Sequence, residues 1–170
     1  MAITVSGIFT NNFITFNSVA QTPATGGSLL LATHKITLWV STITPAYDDS
    51  LANARYGAGQ FTAGANEVSG TGWAAGGVLL SAAAAGATST APTLTVSPAG
   101  TVMWDMTDVA VSSTTLTAAR AAMIYADAIT APNADPAIIL INFTSDFSTV
   151  NGTFGIQFAA TGVATFDLTP

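Results

Sequence analysis

Charged side chains make up 7% of this sequence and hydrophobic ones 49%, and that pairing limits what the chain can fold into. Soluble domains carry about 25% Asp, Glu, Lys and Arg. Here nine acids and three bases are spread over 170 residues. A lone monomer of this kind has a skin of Thr, Ser, Ala and Gly and a poor solubility margin. The longest strongly apolar run, Ala137 to Ile141, is far short of the ~20 residues of a membrane-spanning helix. Surface covered by other proteins is the simplest way to reconcile these facts. The chain reads as a structural part of an assembly more than as a free enzyme.

The length suits one domain with a sizeable core. A mean hydropathy of +0.52 excludes a wholly disordered chain. Cysteine is absent, which leaves no disulfide framework and no thiolate metal site. The start, Met1-Ala2-Ile3-Thr4-Val5, lacks the basic and continuous apolar regions of a signal peptide, so synthesis in a cytosol is expected. The net charge is −6, and the only cations, Lys35, Arg55 and Arg120, are scattered. Nucleic acid and anionic membranes both call for clustered cations, so neither is an expected partner.

The periodicity is that of β-strands. Ile36, Leu38 and Val40 alternate with Thr37, Trp39 and Ser41, the mark of a half-buried strand. Leu94 and Val96 begin a second pattern, Ser97-Pro98-Ala99-Gly100 reads as a turn, and a strand follows over Val102 to Met106. Leu116 to Ala128 passes for a helix on propensity. Its β-prone flank Val109 to Thr115 and the loop Pro132-Asn133-Ala134-Asp135-Pro136 instead favour strand, loop, strand. Ile138 to Ile141 is apolar on both faces, as a central strand is. The last third predicts a hairpin: Phe154, Ile156 and Phe158, a turn at Thr161-Gly162, then Ala164, Phe166 and Leu168, with Asn151-Gly152 before it. Gly76 to Ala87 reads as strand plus loop.

The expected fold is therefore all-β: a single antiparallel β-sandwich, Ig-like or jelly-roll-like, over residues 35–170. Residues 1–34 are less regular, with Thr22 to Ser28 a Pro/Gly-rich break and Leu29-Leu30-Leu31 after it. They read either as an edge strand with a loop or as an extended N-terminal arm reaching a neighbouring subunit.

Catalytic chemistry finds little to work with. His34, the only histidine, stands at the mouth of a strand with no Gly-x-Ser-x-Gly elbow in the chain, and it reads as a solvated polar residue. One His without Cys cannot head a zinc site. Asp48-Asp49 and the pair Asp105 and Asp108 lack the oxygen-rich spacing of a calcium loop and read as turn acids. No catalytic residue, cofactor or metal is expected. Trp39, Trp73 and Trp104 are either core or a sugar-binding platform. Trp39, opposite Ile36 and Leu38, must face a second layer or a partner, and Trp104 reads as core.

The most distinctive stretch is Asn66-Glu67-Val68-Ser69-Gly70-Thr71-Gly72-Trp73-Ala74-Ala75-Gly76-Gly77. It lacks the Lys-Ser/Thr and the Gly-x-Gly-x-x-Gly of phosphate loops. It reads instead as a structural loop in which Gly70, Gly72, Gly76 and Gly77 permit special turns, Asn66 and Glu67 lead in, and Trp73 pins it to the domain. At this loop the chain resembles a family of small virion proteins of tailed bacteriophages. The other blocks are Lys35 to Val40 with Thr44-Pro45-Ala46-Tyr47-Asp48, then Trp104-Asp105, Asp108-Val109, Thr117-Ala118-Ala119-Arg120, Ile124-Tyr125, Asn142 to Asp146 and Asn151 to Phe154, all in order. The resemblance covers residues 35–168 and implies a component of the particle without specifying which one.

On that basis the expected role is a non-enzymatic capsid decoration or cement protein, made in the host cytoplasm and carried on the capsid surface. Its expected partners are the major capsid protein and copies of itself, for which trimers on local three-fold axes suit a closed shell. A tail or fibre component and a carbohydrate-binding host-contact module are the alternatives. Phe9, Phe13, Phe16 and Trp39 are the candidate intersubunit contacts, the three Phe as a strap.

Overall fold

The structure, a computed structural model, describes residues 3–18, 29–30, 33–80, 92–97 and 99–169. The break at Thr22 to Ser28, Leu31, the run from Ser81 to Ala87 and Pro98 lie outside the described residues.

The chain is an all-β antiparallel sandwich. In order it forms β1 (Gly7–Ile8), helix α1 (Thr10–Ser18), β2 (Lys35–Trp39), a single 3-10 turn (Gly59–Phe61), β3 (Glu67–Val68), β4 (Val78–Leu79), β5 (Thr93–Val96), β6 (Thr101–Asp105), β7 (Val109–Tyr125), β8 (Ala137–Ile156) and β9 (Ala164–Asp167). The larger sheet runs β1-β8-β7-β2-β3, with β4 also on β2; the smaller runs β5-β6-β9.

Both faces of the larger sheet's centre are buried. Ile36, Ile124 and Ile139 are in register across β2, β7 and β8, and so are Thr37, Met123 and Leu140 one residue along. Successive side chains on a strand point to opposite faces. The isoleucine row joins Trp104 and Met106, at and just after β6, in the core between the sheets. The other row joins Trp39, Ile43, Ala54, Phe61, Phe9 and Ile3 in a second core under the connection from β2 to β3. β2 is thus buried on both faces, not one: Thr37 and Trp39 are 0% exposed. Trp39 faces a second layer of its own chain. Its Nε1 donates to Thr37 Oγ1 at 2.8 Å, and Thr37 Oγ1 donates to the Met123 carbonyl at 3.2 Å, which satisfies the polar atoms of this apolar row.

The Ala-rich stretch is strand, not helix, as far as Tyr125, where β7 ends. Its alanines Ala119, Ala121 and Ala122 are 0% exposed and keep the sheet thin enough to pack on both sides.

Two expectations need correction. The C-terminal hairpin does not form. Gly162, at φ 82°, closes a turn with its N–H donating to the Ala159 carbonyl at 2.8 Å. The flanking strands, however, join different sheets: Ile156 pairs with Val109 and Ala164 with Trp104. Phe154 and Ile156 enter the core from one wall, Phe166 and Ala164 from the other. Alternation gives the side facing the core, not the strand alongside.

Of the two readings of the N-terminal segment the edge strand is the one found, joined to a helix, and the extended arm is not. Gly7 and Ile8 pair with Leu140 and Ile139, and residues 10–18 are helical despite a Thr, Asn and Phe content that disfavours helix. Tertiary contacts override propensity. The Thr10 N–H donates to the Tyr47 carbonyl at 2.8 Å, and buried Asn12 donates through Nδ2 to the Ala137 carbonyl at 2.8 Å. Phe9, 1% exposed, is core. Removing residues 3–18 therefore strips the second core. The single substitution Phe9→Ala is expected to lower unfolding free energy by about 3–5 kcal/mol, read by urea titration of tryptophan fluorescence.

Candidate functional site

Two features stand out: the glycine-rich loop and the bare side of β8.

The loop begins on β3, where Glu67 and Val68 pair with Trp39 and Leu38. A tight turn follows: Gly70 and Trp73 exchange N–H···O bonds of 2.8 and 3.1 Å. The Thr115 N–H donates to the Thr71 carbonyl at 3.1 Å, docking the turn on β7. A side chain on Gly70 would strike the Thr115 carbonyl oxygen, and one on Gly77, at φ 76°, the Ile36 carbonyl oxygen. Asn66 ties the loop back through Nδ2 to the Gln60 carbonyl at 3.1 Å. Gly72, at φ 78°, lies over the Ser113 carbonyl. Trp73 is 0% exposed and meets Phe154 edge-on at 5.6 Å.

Around the loop gathers much of the chain's small stock of charge. Glu67 accepts from the Gly76 N–H at 2.8 Å and from the Tyr56 hydroxyl at 3.0 Å. The Tyr125 hydroxyl donates to the Gly76 carbonyl at 2.9 Å, and the Tyr56 and Tyr125 rings stack at 4.8 Å. Lys35 pairs with Asp127 at 3.0 Å. Burial pushes the Glu67 carboxyl above its ordinary range, against the lowering effect of its two donors. Tyr56 is pushed up to about 12, first by burial and then by its bond to Glu67. Tyr125 and Asp135 are raised mainly by burial as well. The arrangement holds a loop; among the described residues no group of three His, Cys, Asp or Glu is placed to bind a metal.

On β8 the partner β1 covers only Ile139 and Leu140. Beyond them, no described strand pairs with the side of β8 away from β7. Positive φ at Thr144 (65°) and Asn151 (46°) accompanies irregular register with β7, and such bulges bend a strand. On the bent strand the Phe143 ring lies 6.2 Å from that of Phe154 and 6.0 Å from that of Phe147. Between them is a groove of about 420 Å³, lined by Ile141, Phe143, Phe147, Phe154, Ile156 and Phe158 with Ser, Thr and Gln at its polar positions. Phe147 is 50% and Val150 86% exposed. One ion pair, Arg120 to Asp146 at 2.6 Å, ties this ribbon across its two strands.

No family model, curated protein or solved structure matches this chain.

The remaining expected site residues fall as follows. Phe9 and Trp39 are buried within their own chain, which withdraws both from intersubunit contact. Phe13 and Phe16 are half-buried; Phe13 stacks on Phe166 at 5.2 Å, and Phe16 packs against the intersheet core. The strap expected of these three Phe is part of the domain's own packing. Trp39, Trp73 and Trp104 are at most 1% exposed, so no tryptophan platform for sugar exists. His34 is 1% exposed rather than solvated, and its carbonyl accepts from Leu80 N–H at 2.9 Å. No described helix is long and apolar enough to cross a membrane.

The two buried indoles differ in their polar atoms. Among the described residues Trp73 Nε1 has no partner, while Trp39 Nε1 is bonded. Trp39→Phe is therefore expected to cost about 1 kcal/mol more than Trp73→Phe in urea unfolding. Gly70→Ala and Gly77→Ala are expected to cost several-fold more than Gly64→Ala, which shares the positive φ of Gly77 but has open space around its Cβ position. Thermal unfolding followed by circular dichroism distinguishes the three.

Proposed function

We propose that this chain is a non-enzymatic structural protein of a tailed-phage virion, a decoration or cement protein that binds and stabilises the head shell. The observation that carries the reading is the bare edge and phenylalanine-lined groove of β8 on a chain with 7% charge. An unpaired strand edge is a template for another chain's backbone. An apolar groove beside it adds about 25 cal/mol for each Å² withdrawn from water. The few ionic groups nearby keep the desolvation cost of contact low. The ordered sequence blocks that resemble virion proteins point to a place in the particle.

The proposed occupant of the β8 surface is the major capsid protein, with copies of this chain completing contacts around a symmetry axis. Neighbouring subunits then cover the Thr, Ser and Ala skin that a free monomer leaves bare.

Purified protein added to particles that lack it tests the reading. Attachment to heads is expected, and attachment to tails alone would replace the cement role with a tail role. The double variant Phe147→Lys, Val150→Lys is expected to lose at least tenfold in attachment. Both side chains are exposed, so stability should change by no more than about 0.5 kcal/mol each. Full attachment of the folded double variant would remove the β8 surface from the contact.

A further inference from the structure

β5 is an edge of the smaller sheet, bonded to β6 on one side, and among the described residues no strand pairs with its other side. All of its residues are exposed. Leu94 and Val96 are 39% and 72% exposed although they stand on the sheet's apolar face, in register with Trp104 and Val102. Soluble proteins blunt an edge of this kind with charge. The opposite edge, β9, carries Asp167, and the bare stretch of β8 carries Asp146. From Thr93 to Ser97 there is no charge.

The hydrogen-bonding phase of β5 shows which of its backbone groups are unused. The Ser97 N–H donates to the Thr101 carbonyl at 3.0 Å, closing the turn into β6. Along an antiparallel pair the bonded positions recur at every second residue. Thr95 and Thr93, opposite Met103 and Asp105, therefore spend their N–H and carbonyl groups on β6. Those of Leu94 and Val96 point away from it.

The sequence of this edge is symmetric about Thr95. Leu94 and Val96 flank it, then Thr93 and Ser97, then Pro92 and Pro98. A two-fold contact between copies is isologous, one patch meeting itself. An edge that reads the same in both directions from its centre suits that symmetry, since apolar meets apolar, hydroxyl meets hydroxyl and no like charges face each other.

We propose that β5 is a self-pairing edge, through which two copies of this chain join antiparallel about a two-fold axis at Thr95 and turn two three-stranded sheets into one of six. Leu94 and Val96 of each copy then exchange backbone bonds with Val96 and Leu94 of the other, which uses every N–H and carbonyl that these residues leave free. A shift of two residues in either direction sets a proline, which has no N–H, opposite Val96 or Leu94. The prolines thus fix the register. The contact closes on itself, because both free edges are consumed and no third copy can add there. The strip is short, so free copies pair transiently, and gathering many copies on one surface strengthens the contact by raising their local concentration. The pairing does not depend on which surface that is.

The chain has no cysteine, so one introduced thiol reports on one position. Across the two-fold axis the Thr95 positions form a pair without backbone bonds, their Cα atoms about 4.5 Å apart, inside the disulfide range of about 4.4–6.8 Å. Thr165, also exposed, lies on the same face two strands away, beyond Met103. In the paired copies its two positions stand five strand spacings apart, about 24 Å. In the purified full-length protein treated with diamide, Thr95→Cys is expected to form covalent dimers at least about tenfold faster than Thr165→Cys. Val96→Pro removes an N–H that points away from β6, a placement an edge strand tolerates. Combined with Thr95→Cys, it is expected to bring cross-linking down to the Thr165→Cys rate while urea unfolding stays cooperative. If that double variant does not fold, Val96→Lys takes the place of Val96→Pro and the same loss is expected, because its charge would lie against Leu94 of the other copy. Equal cross-linking of Thr95→Cys and Thr165→Cys, or undiminished cross-linking in the folded double variant, would overturn the pairing. Either failure leaves attachment to particles through β8 as a separate question.

Discussion

Everything in this molecule depends on a sheet whose centre must be kept dry on both faces. Across β2, β7 and β8 the rows alternate between isoleucine on one side and Thr37, Met123 and Leu140 on the other. One such face can be covered by a second sheet, and here β5-β6-β9 does so through Trp104. Among the described residues no strand covers the opposite face. It is closed by the long connection carrying Ile43, Ala54 and Phe61, and by Phe9. The irregular segments are therefore part of the core, and the two-layer sandwich carries a third, non-sheet layer.

Much of this is readable in the sequence where side chains report burial directly. Ile138 to Ile141 has no polar alternate, and it lies inside the larger sheet between β1 and β7, as a central strand does. The β-prone flank before Leu116 outweighs the helix propensity of the alanines, because β7 is one continuous strand. What escapes is set by distant partners. Thr10 to Ser18 is helical because Tyr47, Ala54 and Ala137 offer acceptors to it, and no local pattern announces acceptors so far along the chain. The final hairpin is misleading for a related reason. Two alternating segments around a good turn pair with each other or with others equally well, until the competing partners Val109 and Trp104 are placed.

The candidate sites divide in the same way. The glycines of the loop are visible as letters, and their necessity at Gly70 and Gly77 comes from carbonyls of β7 and β2 that no spacing reveals. Glu67 is visible too, but its partner Tyr56 comes from a separate connection. The bare edge of β8 was hidden by Asn151-Gly152, which reads as punctuation between strands. In the structure Asn151 is a bend within one strand, and it brings Phe143 and Phe154 to the same hollow.

The pairing of Gly7 and Ile8 with Leu140 and Ile139 carries a consequence for biosynthesis. A ribosome releases the first strand long before its neighbour exists, and β2 likewise waits for the far end of β7. Contacts this remote in sequence make folding slow. Throughout translation, greasy segments with few ionic groups to keep nascent chains apart remain unsatisfied. Such a polypeptide is a natural client for chaperones, and its yield in a cell is set by how long that wait lasts as much as by the final stability of the sandwich.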